Sequence, residues 1–209
     1  MTGVRHPRFA RLYVRMTEHE SDEQVERRRE LLAGLRGRVV EIGAGNGRNF
    51  AFYPPQVEEV VAVEPEPTLR EHAVQAARRA PVAVRVVDAA AEALPLADAS
   101  FDGAVSCLVL CSVSDQREAL RELRRVLVPG GELRFLEHVH AERQPLRALP
   151  AGAQRSTLWP RLAGGCHPAR DTLRAIAGAG FAMQHVRSFD FSHGRPMPAV
   201  PHILGTARR

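Results

Sequence analysis

Short apolar runs alternate with amphipathic segments along most of the chain. Runs of this kind, bounded by glycine, proline or acidic residues, are typical of buried strands, whereas apolar positions three and four residues apart are typical of helices. The predicted strands are 38–42, 60–63, 82–87, 104–109, 132–137, 181–189 and 201–207. The predicted helices are 7–35, 68–79, 115–127 and 169–179.

This alternation predicts an α/β fold in which a mostly parallel, doubly wound sheet has helices on both faces. Ligands of such sheets bind beyond the carboxyl ends of the strands. We therefore expect the functional residues in the loops that follow the first five strands. The charged stretch 18–30 is predicted to be a solvated helix face.

Composition narrows the class of protein. A chain of 209 residues with 25% charged residues suits one globular domain. All 29 basic residues are arginine, which is consistent with GC-rich coding and a bacterial source. These arginines are dispersed and aromatic residues are only 5%, so we expect no nucleic-acid partner.

The cysteines and the apolar segments indicate the cellular compartment of the protein. Cys107, Cys111 and Cys166 lack zinc-ligand spacing, so no metal site is predicted and reduced thiols are expected. The longest apolar-rich run, 104–113, is too short to span a bilayer. These features predict a cytoplasmic protein without a membrane anchor.

A glycine-rich loop follows the first predicted strand. Gly43, Gly45 and Gly47 are spaced G-x-G-x-G, and position 48 is arginine where a dinucleotide-binding fingerprint has its third glycine. Glu41 precedes the first glycine by two residues. A carboxylate there repels a pyrophosphate and attracts a cationic amino-acid group.

Acidic residues also end the next two strands. Glu64 is placed to accept the hydroxyls of a ribose, and Asp88 with the backbone of Ala89 is placed to bind an adenine. Each acid has a simpler explanation, since Glu64 suits a turn and Asp88 suits a helix cap. Together with Glu41 they fit an adenosine ligand that carries positive charge, and we expect S-adenosylmethionine as the cofactor.

These motifs resemble the class I S-adenosylmethionine-dependent methyltransferases of methyltransferase type 11. The resemblance rests on VEIGAGNG, AVEP, VDAAAEALPLADASFD and LRRVLVPGG, which lie within residues 38–137. It implies a Rossmann-like sheet of about seven strands whose last strand is antiparallel. It also implies cofactor contacts from Ala44, Asn49, Pro65 and Cys107, the last of these along the methionine part.

A narrower resemblance extends beyond this core. The segments NFAFYPP, LVLCSV, EHV, GC and PHI are similar to the alkyl-thiol methyltransferase branch, also called the methyltransferase-like seven group. Animal members of that branch carry an N-terminal membrane anchor that is not seen here. The segment HPRFARLY at 6–13 suggests instead a short helix that closes over the cofactor.

The resemblance divides a single methyltransferase domain, 1–209, into four parts. Residues 1–37 are expected to form a helical lid and 38–137 the cofactor-binding core. Residues 138–168 are expected to line the acceptor pocket, and 169–209 to supply a helix and strands. The oligomeric state stays open.

Methylation of a thiol requires removal of its proton, because a thiol is mostly neutral at pH 7. His138 follows the fifth predicted strand and is the candidate general base. The alternative is a histidine that only hydrogen-bonds the loop. Glu137 is expected either to orient His138 or to hold that loop.

We expect an enzyme that methylates a small, mostly apolar molecule, with a thiol as one candidate acceptor. Methylation at carbon or nitrogen of a quinone precursor or lipid head group is the alternative within this class. A cofactor-sensing module without catalysis, an RNA methyltransferase and a nicotinamide-dependent oxidoreductase are alternatives of other kinds.

Overall fold

Seven strands and five α-helices make up the part of the chain that a computed structural model describes, residues 7–139, 167, 170–191 and 199–209. The strands are β1 (Gly37–Ile42), β2 (Val57–Val63), β3 (Ala83–Val87), β4 (Phe101–Cys107), β5 (Leu127–His138), β6 (Ala182–Phe191) and β7 (Val200–Arg208). The helices are α1 (Pro7–Met16), α2 (Asp22–Leu32), α3 (Pro67–Ala77), α4 (Gln116–Val126) and α5 (Thr172–Gly178). A 3₁₀ turn covers Phe50–Phe52.

The strands form one sheet in the order β3-β2-β1-β4-β5-β7-β6. Strands β1 to β5 pair in parallel, and β7 pairs antiparallel with both β5 and β6. The chain winds outward from β1 in both directions, so a crevice opens where the carboxyl ends of β1 and β4 diverge. The predicted α/β fold, with its antiparallel last strand, is confirmed.

Two apolar layers cover the sheet. On one face, Leu120, Leu123 and Ile176 from α4 and α5 are fully buried against the strands. On the other face, Leu31 and Leu32 of α2 are fully buried in a second cluster. Burial on both faces explains why the central strands are continuous apolar runs without alternation.

The predicted helix over 7–35 is wrong as a single element. It is interrupted after Met16, where the Thr17 hydroxyl and N–H both donate to the carbonyl of Tyr13, at 2.8 and 2.9 Å. Ser21 then begins a new helix with a capping box that includes Gln24.

The predicted solvated face of 18–30 is also wrong at two positions. Arg28 is only 8% exposed, and the Glu20 side chain is 3% exposed. Helix α2 packs against β5 and the 3₁₀ turn, so this side of the helix faces protein.

Strand β5 begins earlier than predicted. Helix α4 ends at Val126 and the strand begins at Leu127, so the Pro129–Gly131 segment lies within β5 and does not end the helix. A register shift between Phe101 and Gly103 accommodates the extra residues.

Parts of the predicted organisation lie outside the described residues. Most of the expected acceptor-pocket segment, 138–168, falls there, and so does Cys166. Among the helices that the structure describes, none has the length and apolar character needed to cross a membrane.

Gly205 of β7 packs so closely that a methyl group has no room. An added Cβ would lie 2.5 Å from the His185 carbonyl and 2.6 Å from the Phe135 ring. We expect Gly205→Ala to lower the free energy of unfolding by about 1–3 kcal/mol through overpacking.

The control for this prediction is Gly178→Ala in α5, where an added Cβ meets nothing within 4 Å. This variant should gain roughly 0.5–1 kcal/mol of stability. Urea unfolding of both variants decides the matter, and equal stabilities would contradict the packing argument.

Candidate functional site

The glycine loop lies at the carboxyl end of β1. Gly43 and Gly45 have φ values of 57° and 58°, in the left-handed region that favours glycine. A Cβ on Gly43 would meet Val109 at 2.6 Å, whereas the nearest group to Gly45 would be the Tyr13 ring at 3.5 Å. Gly43 is therefore required by packing against the β4 loop, and Gly45 faces the crevice.

Glu64 follows β2 and holds this loop. Its Oε2 accepts from the Gly45 N–H at 2.7 Å, and its Oε1 accepts from the Glu66 N–H at 2.9 Å. Burial raises the pKa of Glu64 to about 7, although these two backbone hydrogen bonds oppose the rise. The carboxylate predicted for a ribose thus lies directly beside the glycine loop.

Glu41, at the end of β1, is buried beneath the loop. Its Oε1 accepts from Asn49 Nδ2 at 2.7 Å, and its Oε2 accepts from the Tyr53 hydroxyl at 2.8 Å. Burial raises the pKa of Glu41 to about 7, while Tyr53, Asn49 and the charge of Arg28 act in the opposite direction.

Asp88 differs from these two acids. Its side chain is 67% exposed and pairs with Arg70 at 2.9 Å. Arg70 also donates to the carbonyl oxygens of Glu64 and Pro65, each at 3.0 Å. Arg70 therefore connects the ends of β2 and β3, and Asp88 lies at the rim of the crevice.

The remaining predicted cofactor residues line the same edge. Ala44 is buried and its N–H donates to the Val63 carbonyl at 3.0 Å. Ala89 is partly buried against the core beside β3. Gly47 packs against the Phe50 ring, where an added Cβ would lie at 2.8 Å.

Cys107 lies at the end of β4. Burial raises the pKa of the Cys107 thiol to about 11, so it stays protonated and is a poor nucleophile at neutral pH. Its sulfur lies 3.5 Å from a guanidinium nitrogen of Arg28.

Arg28 and Glu20 belong to the site but were missed in the sequence. Arg28 donates to Glu20 at 2.8 Å and to Asn49 Oδ1 at 2.7 Å. Arg48 donates to the other oxygen of Glu20 at 3.0 Å. The one hint in the sequence is spacing, since Arg28 lies three residues after Val25 and three and four residues before Leu31 and Leu32, the apolar positions of α2.

Helix α1 covers the glycine loop. Tyr13 lies over Gly45, and Asn46 Nδ2 donates to the Thr17 hydroxyl at 2.8 Å. Burial raises the pKa of Tyr13. The contact places an aromatic ring between the loop and solvent.

His138 is the last residue of β5, at the same edge of the sheet. Its Nδ1 lies 3.9 Å from Cys111 Sγ, and its ring centroid is 4.4 Å from that of His202. His202 was not singled out as a site residue. Its Nδ1 lies 2.8 Å from the Val200 carbonyl, which only accepts, so Nδ1 carries a hydrogen.

Glu137 holds the loop after β4. One carboxylate oxygen accepts from the Ser106 hydroxyl at 2.6 Å and from the Val109 and Leu110 N–H groups at 3.1 Å each. The loop includes Leu108 at a positive φ of 60°, a conformation that needs such support. Of the two roles considered for Glu137, the geometry favours holding the loop, and burial raises its pKa.

The buried carboxylates of the crevice suit one kind of ligand. Two buried carboxylates, Glu41 and Glu64, flank a loop whose Gly45 N–H is directed at a carboxylate. An anionic pyrophosphate would be repelled there, whereas hydroxyl groups and an ammonium group would be accepted. An adenosyl sulfonium that carries an amino-acid group fits these residues.

Comparison with known proteins gives the family. A family model described as a methyltransferase domain matches residues 40–135. The chain is 39% identical over 181 residues to the thiol S-methyltransferase TMT1B of Mus musculus, covering 84% of this chain and 73% of that protein. It is 34% identical to TMT1A of Homo sapiens, covering 95% of this chain and 85% of that protein.

Solved structures agree in fold. The [4+2]-cyclase SpnF superposes with a TM-score of 0.70 at 21% identity, covering 92% of this chain and 83% of that chain. A possible histamine N-methyltransferase of Thermotoga maritima gives 0.69 at 23% identity, covering 96% of each chain. These structures show the fold, and the sequence relatives show that the chain belongs to the thiol S-methyltransferase TMT1 family and is an S-adenosylmethionine-dependent methyltransferase.

Proposed function

We propose that this enzyme methylates the sulfur of a small, mostly apolar thiol. The observation that carries the proposal is the share of this chain that aligns with relatives of each activity. Relatives named thiol S-methyltransferase align over 95% of the chain. A demethylmenaquinone methyltransferase of Renibacterium salmoninarum, 32% identical, aligns over only 59% of it. The alternative of carbon methylation on a quinone precursor therefore has weaker support.

We further propose how the edge of the sheet holds the cofactor. Glu64 accepts the ribose hydroxyls, and Asp88 with Ala89 binds the adenine. Glu41 attracts the ammonium of the methionine part. Asn49 and Tyr53 donate to the Glu41 carboxylate and fix its orientation. The backbone near Cys107 lies along the same part, and the other contacts come from Gly43, Ala44, Gly45, Gly47 and Pro65. S-adenosylmethionine supplies the electrophilic methyl group.

The lid proposed for residues 1–37 is supported by the position of α1. Tyr13 lies over Gly45 at the face of the loop that is open to a ligand. Such a cover excludes water from the site, which strengthens electrostatic interactions there. The whole chain is proposed to form one methyltransferase domain, with the acceptor pocket lined by 138–168.

His138 is the proposed general base. It takes the proton from the acceptor thiol as the sulfur attacks the methyl carbon in line with the departing sulfonium sulfur. The new S–C bond forms as the old one breaks, and the proton remains on the imidazole. Cys107 does not compete for the methyl group because its thiol stays neutral.

A cytoplasmic location in a bacterial cell is also proposed. The free thiols of Cys107 and Cys111 suit a reducing compartment. A small-molecule acceptor agrees with the family. The prediction that no nucleic acid binds rests on the dispersed arginines. We propose no oligomeric state.

The substrate proposal predicts methyl transfer to small thiols. With methyl-labelled S-adenosylmethionine, an apolar alkyl thiol should yield a labelled thioether, while the matching alcohol and amine should yield none. Product mass spectrometry checks the result. Turnover of quinone precursors with no turnover of any thiol would contradict the proposal and leave the methyltransferase assignment intact.

Glu64→Ala should weaken binding of S-adenosylhomocysteine by about 1–3 kcal/mol, since buried ribose hydroxyls lose their acceptor. The control is Glu59→Ala in β2, the strand that Glu64 follows; this acid pairs with Arg38 on the protein surface at 3.2 Å. Calorimetry should find the control unchanged. Equal affinities of the wild type, Glu64→Ala and Glu59→Ala would show that the ribose does not bind at Glu64.

His138→Ala should lower kcat for an alkyl thiol by roughly 10²–10⁴-fold without changing cofactor affinity. The loss should shrink for an aromatic thiol that is already ionised at the assay pH, because no base is then needed. Exposed His185 provides the control, and His185→Ala should retain full activity. An equal loss for both thiols would assign His138 to packing instead of proton transfer.

A further inference from the structure

Arg28 stands apart from the other arginines of the described residues. It is the only one of them that is buried, at 8% exposure, and it lies on α2, outside the segment matched by the methyltransferase model. A buried guanidinium is costly unless every donor finds an acceptor. Its contacts therefore indicate what this charge does.

The guanidinium joins the N-terminal segment to the glycine loop. Its Nε and one terminal nitrogen contact Glu20 Oε1 at 2.8 and 2.7 Å. The other terminal nitrogen donates to Asn49 Oδ1 at 2.7 Å. Glu20 is also paired with Arg48, so it keeps a partner if Arg28 is replaced.

These contacts determine the orientation of Asn49. A guanidinium only donates, so the Asn49 atom that faces Arg28 is the amide oxygen. The amide nitrogen is then directed at Glu41 Oε1 at 2.7 Å, and Tyr53 donates to Glu41 Oε2. Both oxygens of Glu41 act as acceptors, which is the arrangement of an ionised carboxylate.

We propose that Arg28 is a positioning residue that acts through Asn49 to hold Glu41 as an oriented anion for the ammonium group of the cofactor's amino-acid part. The inference rests on the placement of Glu41 in the proposed cofactor site. It does not depend on the identity of the methyl acceptor.

The other groups around Glu41 do not supply this charge. Tyr53 from the 3₁₀ turn is neutral, and burial raises its pKa further. Cys107 from β4 is neutral as well. Among the described residues that act on Glu41, Arg28 is thus the one cation.

The test compares two ligands that differ in the amino-acid part alone. S-adenosylhomocysteine carries this part, and 5′-methylthioadenosine lacks it. Arg28→Met should weaken S-adenosylhomocysteine roughly tenfold, as expected for a charge-assisted hydrogen bond, and leave 5′-methylthioadenosine unchanged. A variant that merely distorts the loop would weaken both ligands equally and would overturn the proposal.

The matched control is Arg27→Met, the same change on the same helix. Arg27 lies over the Phe189 ring at 4.4 Å and pairs with Glu23 and Glu30. Calorimetry should find both ligands bound as in the wild type. Asn49→Ala removes the connection between Arg28 and Glu41 without removing a charge. If Arg28→Met does not fold, Asn49→Ala takes its place in the comparison of the two ligands, with the same expected result.

A double-mutant cycle separates the proposed route from direct contact. If Arg28 acts through Glu41, then Arg28→Met in a Glu41→Gln background should cost no further affinity for S-adenosylhomocysteine. Additive losses would mean that Arg28 acts on the ligand itself and would overturn the inference. Equal loss of both ligands in Glu41→Gln alone would instead overturn the placement of Glu41 in the proposed function.

Discussion

Buried carboxylates at the carboxyl edge of the sheet impose the main physical constraint on this protein. Glu41 and Glu64 end β1 and β2 at 2% and 5% exposure, and an uncompensated charge at such depth is very costly. Each oxygen therefore accepts a hydrogen bond from protein. The glycine loop and its acids stabilise each other, because the Gly45 N–H that the loop exposes is the donor that Glu64 needs.

Another buried acid near this edge, Glu137, is not one of those expected from the sequence to bind the ligand. Asp88 was grouped with Glu41 and Glu64, but its side chain is exposed and paired with Arg70. Glu137 is the acid that is fully buried, and it supports the strained loop after β4 instead of facing a ligand. An acid at a strand end can thus serve either a ligand or a neighbouring loop, and sequence position alone does not distinguish these roles.

The strands and the glycine loop were predictable because their signals are local. Continuous apolar runs give the buried strands, and G-x-G-x-G after β1 gives the loop. Arg28 was not predictable, because its partners Glu20, Asn49 and Cys107 come from three separate segments. Helix α2 is polar apart from Val25, Leu31 and Leu32, and an arginine among so many charged residues gives little sign in the sequence that it is buried with the two leucines.

The antiparallel strand explains how a second histidine reaches the site. A parallel strand at this place would bring its carboxyl end to the edge and would need a crossover. Strand β7 instead begins where β5 ends, so its first residues lie at the functional edge. The register pairs His138 with His202 directly, and cross-strand neighbours of this kind are close enough for ring contact. The topology thus adds a buried imidazole beside the proposed base, at a position that no motif around β5 could indicate.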